Sequence, residues 1–494
     1  MIPPAQVKRV IVAGGGIVGW SAAAALKRRL PLLEVSVLPI EPSADSLADL
    51  MGGTLPSIIG FHDDLGLGDG DTIRRAQSGV RMGTLFEGWS TRPSNYVHSY
   101  GPVGQRIGPS SFHQVWLRSR QTAHPFDHYS LAAQAARQER IVVGPPNGLF
   151  GSGSDAGHHG LHLAVPRYKD LIRAFALHLG ARLVEGQFAE VRLREDGFIR
   201  ALALTSGREV TADVFVDATG PRARLRSAMD GRFEGWGQWL LADRVVIQNV
   251  ADQRASESVL DTNRAHDAGW SWRFAAPGAV GSGLIASSAH AADWEQDFQS
   301  VGGPEAIRIR QGRRPEPWLR NCVAIGDAAV AVEPLEWTNL HLAHSAIDRL
   351  VSMMPGKDCA PVELAEYNRQ CGLEADRVRD FLCLHYVAGP SSRSAFWRDA
   401  GSIDPPPSLA HTLALFRERG RLPFHEEETF DRDSWFTVLL GQGFVPQRID
   451  PLTDVVTDDE AESAMASVAD RIARRIPTLP TPAAFRRSFE SQVA

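Results

Sequence analysis

Residues 10–20 read Val-Ile-Val-Ala-Gly-Gly-Gly-Ile-Val-Gly-Trp, and the next six begin with Ser21, continue through four alanines and end at Leu26. An apolar strand runs into glycines and out into an alanine-rich helix. Gly14 permits the tight turn, Gly16 lets the backbone approach a diphosphate, and Gly19 lets helix and strand pack closely, while the helix N-terminus faces the negative charge. Glycines alone make a loop; with this strand before them and this helix after them they make a dinucleotide-binding turn, which commits the start of the chain to an α/β unit.

The 494 residues, 43% hydrophobic and 22% charged, suffice for an extensive core in one elaborate domain or two. No stretch approaches the roughly 18 uninterrupted apolar residues of a membrane span, and no signal peptide precedes the first strand, so a cytoplasmic protein with no membrane partner is expected. Cys322, Cys359, Cys371 and Cys383 lack the paired spacing of a zinc site and read as buried, reduced thiols. His158 and His159 have no acidic or cysteine partner at ligand spacing, so they are expected in solvent and no metal is expected. A net charge of -6 leaves no basic footprint for nucleic acid. Nearly all the positive charge is arginine: Lys8, Lys27, Lys169 and Lys357 are the lysines among 52 basic residues.

Residues 33–38 read as the second strand, and Glu41, 22 residues past Gly19, stands where an acid holds the ribose hydroxyls. Residues 186–191 and 209–217 read as further strands, the latter an apolar run ending in Asp217-Ala-Thr-Gly220. A third strand end of this type, Cys322-Val-Ala-Ile-Gly326-Asp327, places an acid and small residues at a strand-to-helix turn. Three such ends point to FAD.

Further motifs resemble, in the same order and over nearly the full length, those of the flavin-dependent tryptophan halogenases. Gly14-Gly-Gly-Ile-Val-Gly-Trp20 resembles their GGGxxGW start, Gly269-Trp270-Ser-Trp272-Arg-Phe274 their WxWxI motif, and Glu333-Pro-Leu-Glu336 their EPLE segment. Shorter runs around Trp116, Tyr386, Trp397 and Trp435 also match. The resemblance implies an FAD-binding, Rossmann-like α/β module of the glutathione-reductase type with an interleaved, largely helical substrate-covering layer. The module is expected over residues 1–350, with a substrate-side insertion near 222–300, and a mostly helical layer over 351–494. The residues expected at the cofactor are Gly14, Gly16, Ile17, Val18, Gly19, Glu41, Gly52, Gly53, Val191, Gly220, Gly326, Asp327 and Leu340.

The implied chemistry uses reduced FAD, oxygen and a halide co-substrate to make hypohalite, which crosses a tunnel to an aromatic substrate. A lysine normally receives it, beside a glutamate that polarises the oxidant or takes the ring proton. Glu336 matches the glutamate, whereas Arg81 falls on the lysine position, in register with Phe86 and Trp89. A guanidinium stays protonated, so Arg81 offers no free amine to halogenate, yet it can donate hydrogen bonds to hypohalous acid or grip a carboxylate.

Other departures from the family pattern follow. The flavin-contacting strap, GEATxP in the family, is Met51-Gly52-Gly53-Thr54-Leu55-Pro56 here, without the acid. The Ser-Thr-Gly that cradles halide is Trp337-Thr338-Asn339, so Thr338 and Asn339 are the halide candidates and Trp337 narrows the tunnel or stacks on the substrate. His98, Tyr100 and Trp435 match the substrate pocket, and a shortened stretch before Trp435 argues against free tryptophan and for another indole- or phenol-bearing compound. Without a nicotinamide motif, reduced flavin comes from a separate reductase; a homodimer is compatible with the family. A flexible loop or lid is expected over residues 145–159, which are rich in glycine and serine. A monooxygenase or oxidase on the same scaffold, or a non-catalytic flavin-binding relative, are the alternatives.

Overall fold

The computed structural model describes residues 6–90, 95–120, 123–143, 158–252, 254–290, 306–389 and 394–490. The expected lid, His158 and His159 apart, lies outside the described residues. The chain divides into two interleaved units, Met1–Ser78, Leu163–Gly237 and Ala306–Asp376 in one and Gly79–His162, Gln238–Glu305 and Arg377–Ala494 in the other. Residues 79–162, which the sequence pattern groups with the nucleotide turn, therefore belong to the second unit. Their strands pair with strands far along the chain, and local periodicity carries no record of such partners.

The first unit is built on a sheet ordered Trp318–Leu319, Cys322–Ala324, Val214–Asp217, Arg9–Ala13, Glu34–Leu38 and Arg182–Leu183. All pairs are parallel except the edge pair Trp318–Leu319 with Cys322–Ala324. The central strand is buried beyond Arg9, as a strand covered on both faces must be. Helix Ile17–Arg29 is buried along its first ten residues, Ile17 to Leu26, and its alanines let neighbouring backbones approach where larger side chains would not fit. A Cβ on Gly19 would overlap the Gly14 carbonyl, so the turn closes only with glycine there.

The run 209–217 is two strands rather than the one expected. Glu209–Val210 pairs antiparallel with Ile199–Leu204, while Val214–Asp217 enters the parallel sheet. Between them the Asp213 carboxylate accepts from the amides of Lys8 (2.8 Å) and Arg9 (2.9 Å), pinning the crossover. Asp217 closes the strand by accepting from the amides of Thr219, Leu225 and Arg226; it organises the turn around Gly220. The four cysteines are free and buried, as composition suggested.

In the second unit, strands Arg244–Ala251, Ala279–Ala286, Gly269–Ala276, Leu260–His266, Gly83–Glu87 and Tyr96–Ser99 lie side by side in that order. Trp270 and Trp272 project from one face of their strand, and the Trp270 indole donates to the Tyr386 hydroxyl (3.0 Å). Gly79–Arg81 pairs antiparallel with Gly160–His162. That pairing draws in His159, which is buried with its ring edge-on to Phe485; the expectation of a solvated pair holds for His158 alone. Helices follow towards the C-terminus, including Asp458–Arg475, which opens with a Thr457/Glu460 capping box. Among the described residues no helix is long and apolar enough to cross a membrane.

Candidate active site

The glycine turn has the backbone its sequence demands. Gly14 sits at φ 153°, Gly220 at 76° and Gly326 at 64°, conformations that favour glycine. The amide of Val18, one of the unpaired donors at the start of helix Ile17–Arg29, is taken by the Asp49 carboxylate (2.9 Å). A Cβ on Gly16 would overlap that carboxylate, and one on Gly220 would overlap Ser46 Oγ. Next to Asp49, the amide of Ala48 donates to Asp327 (2.7 Å). Burial pushes the Asp49 carboxyl up to about 7, and burial with Asp49 and Asp45 nearby raises Asp327 well above the carboxylate range.

Of the other cofactor candidates, Glu41 stands beside Gly15 with its carboxylate 75% exposed and 3.7 Å from Lys169. Leu340 is buried in the first turn of helix Thr338–Ser352. Val191 packs against a cluster that includes Ile11, Leu38 and Phe215, a core contact. Gly52 accepts from the amide of Leu163 (2.6 Å), and Gly53 lies under the Trp337 indole so closely that a Cβ there would overlap the ring.

Glu336 and Trp337, both buried, take consecutive left-handed conformations with φ 59° and 58°. Non-glycine residues hold such angles at a cost of about 1–3 kcal/mol each, strain that clusters at functional sites. They turn the chain into helix Thr338–Ser352. Thr338 Oγ1 and Asn339 Oδ1 are buried there with no hydrogen-bond partner among the described residues, while Asn339 Nδ2 donates to the Val332 carbonyl (2.8 Å).

Arg81, in the second unit, is fully buried. Its Nε donates to Asp261, its Nη2 donates to Thr84 Oγ1 (2.6 Å), and Thr84 in turn donates to Asp261 (2.8 Å). Burial alone would raise the Asp261 carboxyl, but the Arg81 guanidinium and His162 together outweigh it and hold it at about 2. Burial lowers the neighbouring His162, whose ring stacks on Phe274 (4.6 Å).

The guanidinium lies over the Tyr100 ring, 5.3 Å from its centre. Tyr100 meets His98 (6.4 Å), His98 meets Phe381 (5.7 Å), and Phe381 meets Trp435 (5.1 Å). Arg81, His98, Tyr100 and Trp435 thus fall into one aromatic cluster, with Phe381 and Phe430 completing it. Trp337 lies in the first unit, against Gly53. Sequence reasoning missed two acids, Asp49 and Asp261. Asp261 left a trace: it and Asn263 alternate inward along strand Leu260–His266, and an inward acid requires a cation.

Among the described residues no cluster of three or more metal-ligating side chains occurs. The glycine turn and the amides at the start of helix Ile17–Arg29 fit a dinucleotide diphosphate. A family model described as tryptophan halogenase matches residues 9–458. The flavin-dependent halogenase BrvH from Brevundimonas sp. BAL3 is 32% identical, with a TM-score of 0.91 over 98% of this chain and 99% of that one. A flavin-dependent halogenase from Xanthomonas campestris is 33% identical, with a TM-score of 0.90 over 98% of each chain. Tryptophan 7-halogenase KtzQ of Kutzneria sp. (strain 744) is 28% identical over 98% of both chains. With the family model matching residues 9–458 and a flavin-dependent halogenase 32% identical over nearly the whole chain, the chain belongs to the tryptophan halogenase family, flavin-dependent enzymes that use reduced FAD with halide as co-substrate.

Proposed function

We propose that this chain halogenates an indole- or phenol-bearing compound other than free tryptophan, with Arg81 as a fixed hydrogen-bond donor in place of an amine that carries the halogen. The observation that supports this best is the anchoring of Arg81. Asp261 and Thr84 hold the guanidinium plane against Tyr100, so the donor is pre-organised and its charge balanced before substrate arrives.

Gly14, Gly16, Gly19 and the amides of Ile17 and Val18 would hold the diphosphate of FAD, with Gly220, Gly326 and Asp327 beside the rest of the cofactor. When bound, FAD supplies the reduction of oxygen that generates the oxidising equivalent. Thr338 Oγ1 and the first-turn amides of helix Thr338–Ser352 offer donors to a halide. His98, Tyr100 and Trp435 hold the aromatic ring by stacking. Arg81 donates to the oxygen of hypohalous acid, making the halogen more electrophilic. As the new carbon–halogen bond forms the oxygen–halogen bond breaks and hydroxide leaves beside Arg81; the displaced ring proton passes to the Glu336 carboxylate and from there to the hydroxide, which departs as water. Reduced flavin arrives from a separate reductase, in the cytoplasm.

A second reading, direct oxygenation of the substrate without halide, draws on Trp337, whose bulk sits at the head of the helix expected to cradle halide. The paired exchange R81M/D261N tests the first reading, because it removes the donor without stranding a buried charge. Arene bromination should fall at least tenfold while trapped hypobromite is unchanged; unchanged bromination would discard Arg81 as donor.

A further inference from the structure

Asn263 carries a polar group whose burial folding does not explain. It is 1% exposed on strand Leu260–His266, and among the described residues neither its Oδ1 nor its Nδ2 has a hydrogen-bond partner. A side-chain amide can make about four hydrogen bonds, and burying one with none made lowers stability. Its surroundings follow from register. Asn263 stands opposite Phe86 on one side and Trp272 on the other; Asp261, two residues away on the same face, stands opposite Thr84, and Thr84 opposite His98. The amide therefore shares a sheet face with His98 and with Asp261 and Thr84, the two groups that anchor Arg81. The outer edge of the Trp272 indole lies over Gly283 and the Phe274 ring over Gly281, so closely that a Cβ on either glycine would overlap the ring. Both rings thus lean towards strand Ala279–Ala286 and away from Asn263.

We infer that Asn263 is a specificity-determining residue that recognises a lactam or carboxamide group borne by the aromatic substrate. This deepens, and rests on, the reading of arene halogenation above. Polar groups left open in a folded chain call for an explanation, and a ligand that completes them supplies one. Both ends of this amide are open, so its partner must bring a donor and an acceptor together. An indole N–H answers Oδ1 and strands Nδ2. A carboxylate answers Nδ2 and repels Oδ1, and the nearby guanidinium that would attract it is already balanced by Asp261. A lactam or carboxamide sets N–H beside C=O in one plane and answers both atoms at once. A site built this way discriminates strongly, because a substrate lacking the group leaves buried polar atoms unpaired.

The test supplies the full chain with reduced FAD, oxygen and bromide, and compares oxindole, whose fused lactam carries both groups, with N-methyloxindole, which lacks the donor. The readout is the ratio of their kcat/KM values in wild type divided by that ratio in a variant, so the intrinsic reactivities of the two rings cancel. Wild type should prefer oxindole, and Asn263→Leu, close in volume and without polar atoms, should reduce that preference about tenfold or more. Asn263→Ala adds no bulk, covers the case in which the leucine variant does not fold, and should shift the ratio in the same direction. Ratios that agree within about twofold among the three proteins would overturn the role of Asn263 while leaving arene halogenation standing. Calorimetric Kd values for the same pair read the preference without turnover. A preference present in wild type and lost in the variants, with no bromination by any of them, would overturn arene halogenation alone; no preference in either assay, with no bromination, would overturn both.

Discussion

Replacing Asp261 by asparagine probes a fully buried ion pair. Arg81 and Asp261 are both fully buried, and the guanidinium's Nε is directed at this carboxylate. Asparagine keeps the volume and one acceptor but removes the carboxylate charge that faces the guanidinium in this buried site. Breaking a buried pair from one side costs about 3–5 kcal/mol, whereas exchanging both partners for neutral groups of similar size is often close to neutral. Asp261→Asn should therefore lower the unfolding free energy by about 3–5 kcal/mol, and R81M/D261N should recover most of it, a coupling well above the ~0.5 kcal/mol expected of independent sites. Urea unfolding followed by tryptophan emission suits the assay, since Trp89, Trp270, Trp272 and Trp397 are buried in the same unit. The pH dependence gives an independent check. Asp261 is held at about 2, below its ordinary 3.8, so its stabilisation is complete above about pH 4 and disappears as pH falls through that window. The gap between wild type and Asp261→Asn should narrow from pH 6 towards pH 2. A single-variant cost below ~1 kcal/mol, or additive effects in the cycle, would refute the buried-pair account.

Asp49→Asn should raise the melting temperature at pH 8 and not at pH 4. The folded carboxyl titrates near 7 against 3.8 unfolded, so the native chain binds a proton the unfolded chain has released. Wild-type stability then falls by about 1.4 kcal/mol per pH unit across that window, at most ~4 kcal/mol; equal melting curves at pH 8 would contradict it. Gly53→Ala should cost about 1–3 kcal/mol by forcing a Cβ into the Trp337 ring, and Trp337→Ser should rescue it; the double variant's melting temperature checks this. Trp337→Ser alone should change halide consumption or product profile in a turnover assay, and an unchanged profile with unchanged flavin oxidation kinetics would remove Trp337 from the site. His98→Ala should raise KM for an accepted indole about tenfold while leaving hypobromite formation intact, because it removes a stacking wall.

Much of the first unit was legible because its signals are local. Gly14, Gly16 and Gly19 meet steric demands within a few residues of themselves, and the strands ending at Asp217 and Ala324 take their places beside Arg9–Ala13 as parallel, buried runs. Arg81, His98, Tyr100 and Trp435 were marked from the family resemblance and from no local signal, and Trp337, marked with them for the pocket, lies in the first unit. What stayed hidden depends on partners distant in the chain. Asp261 meets Arg81 across 180 positions, and the acid at 49 looks like an ordinary surface residue until its segment folds over the glycine turn. The break at Thr211–Asp213 is invisible to apolar alternation, because hydrophobic residues continue on both sides while the strand changes sheet. His159 was misplaced for the same reason: strand Gly160–His162 is drawn in by its partner Gly79–Arg81, and its short sequence carries no periodicity of its own.

The most direct measurement supplies the purified chain with reduced FAD, oxygen, bromide, catalase to remove free peroxide, and a small-molecule trap for hypobromite. Trapped hypobromite, in excess of a protein-free control and lost on removing bromide, is the predicted result and makes the aromatic substrate the remaining unknown. Accelerated oxidation of reduced FAD with no trapped oxidant would contradict the halogenase assignment and favour direct oxygenation of the substrate.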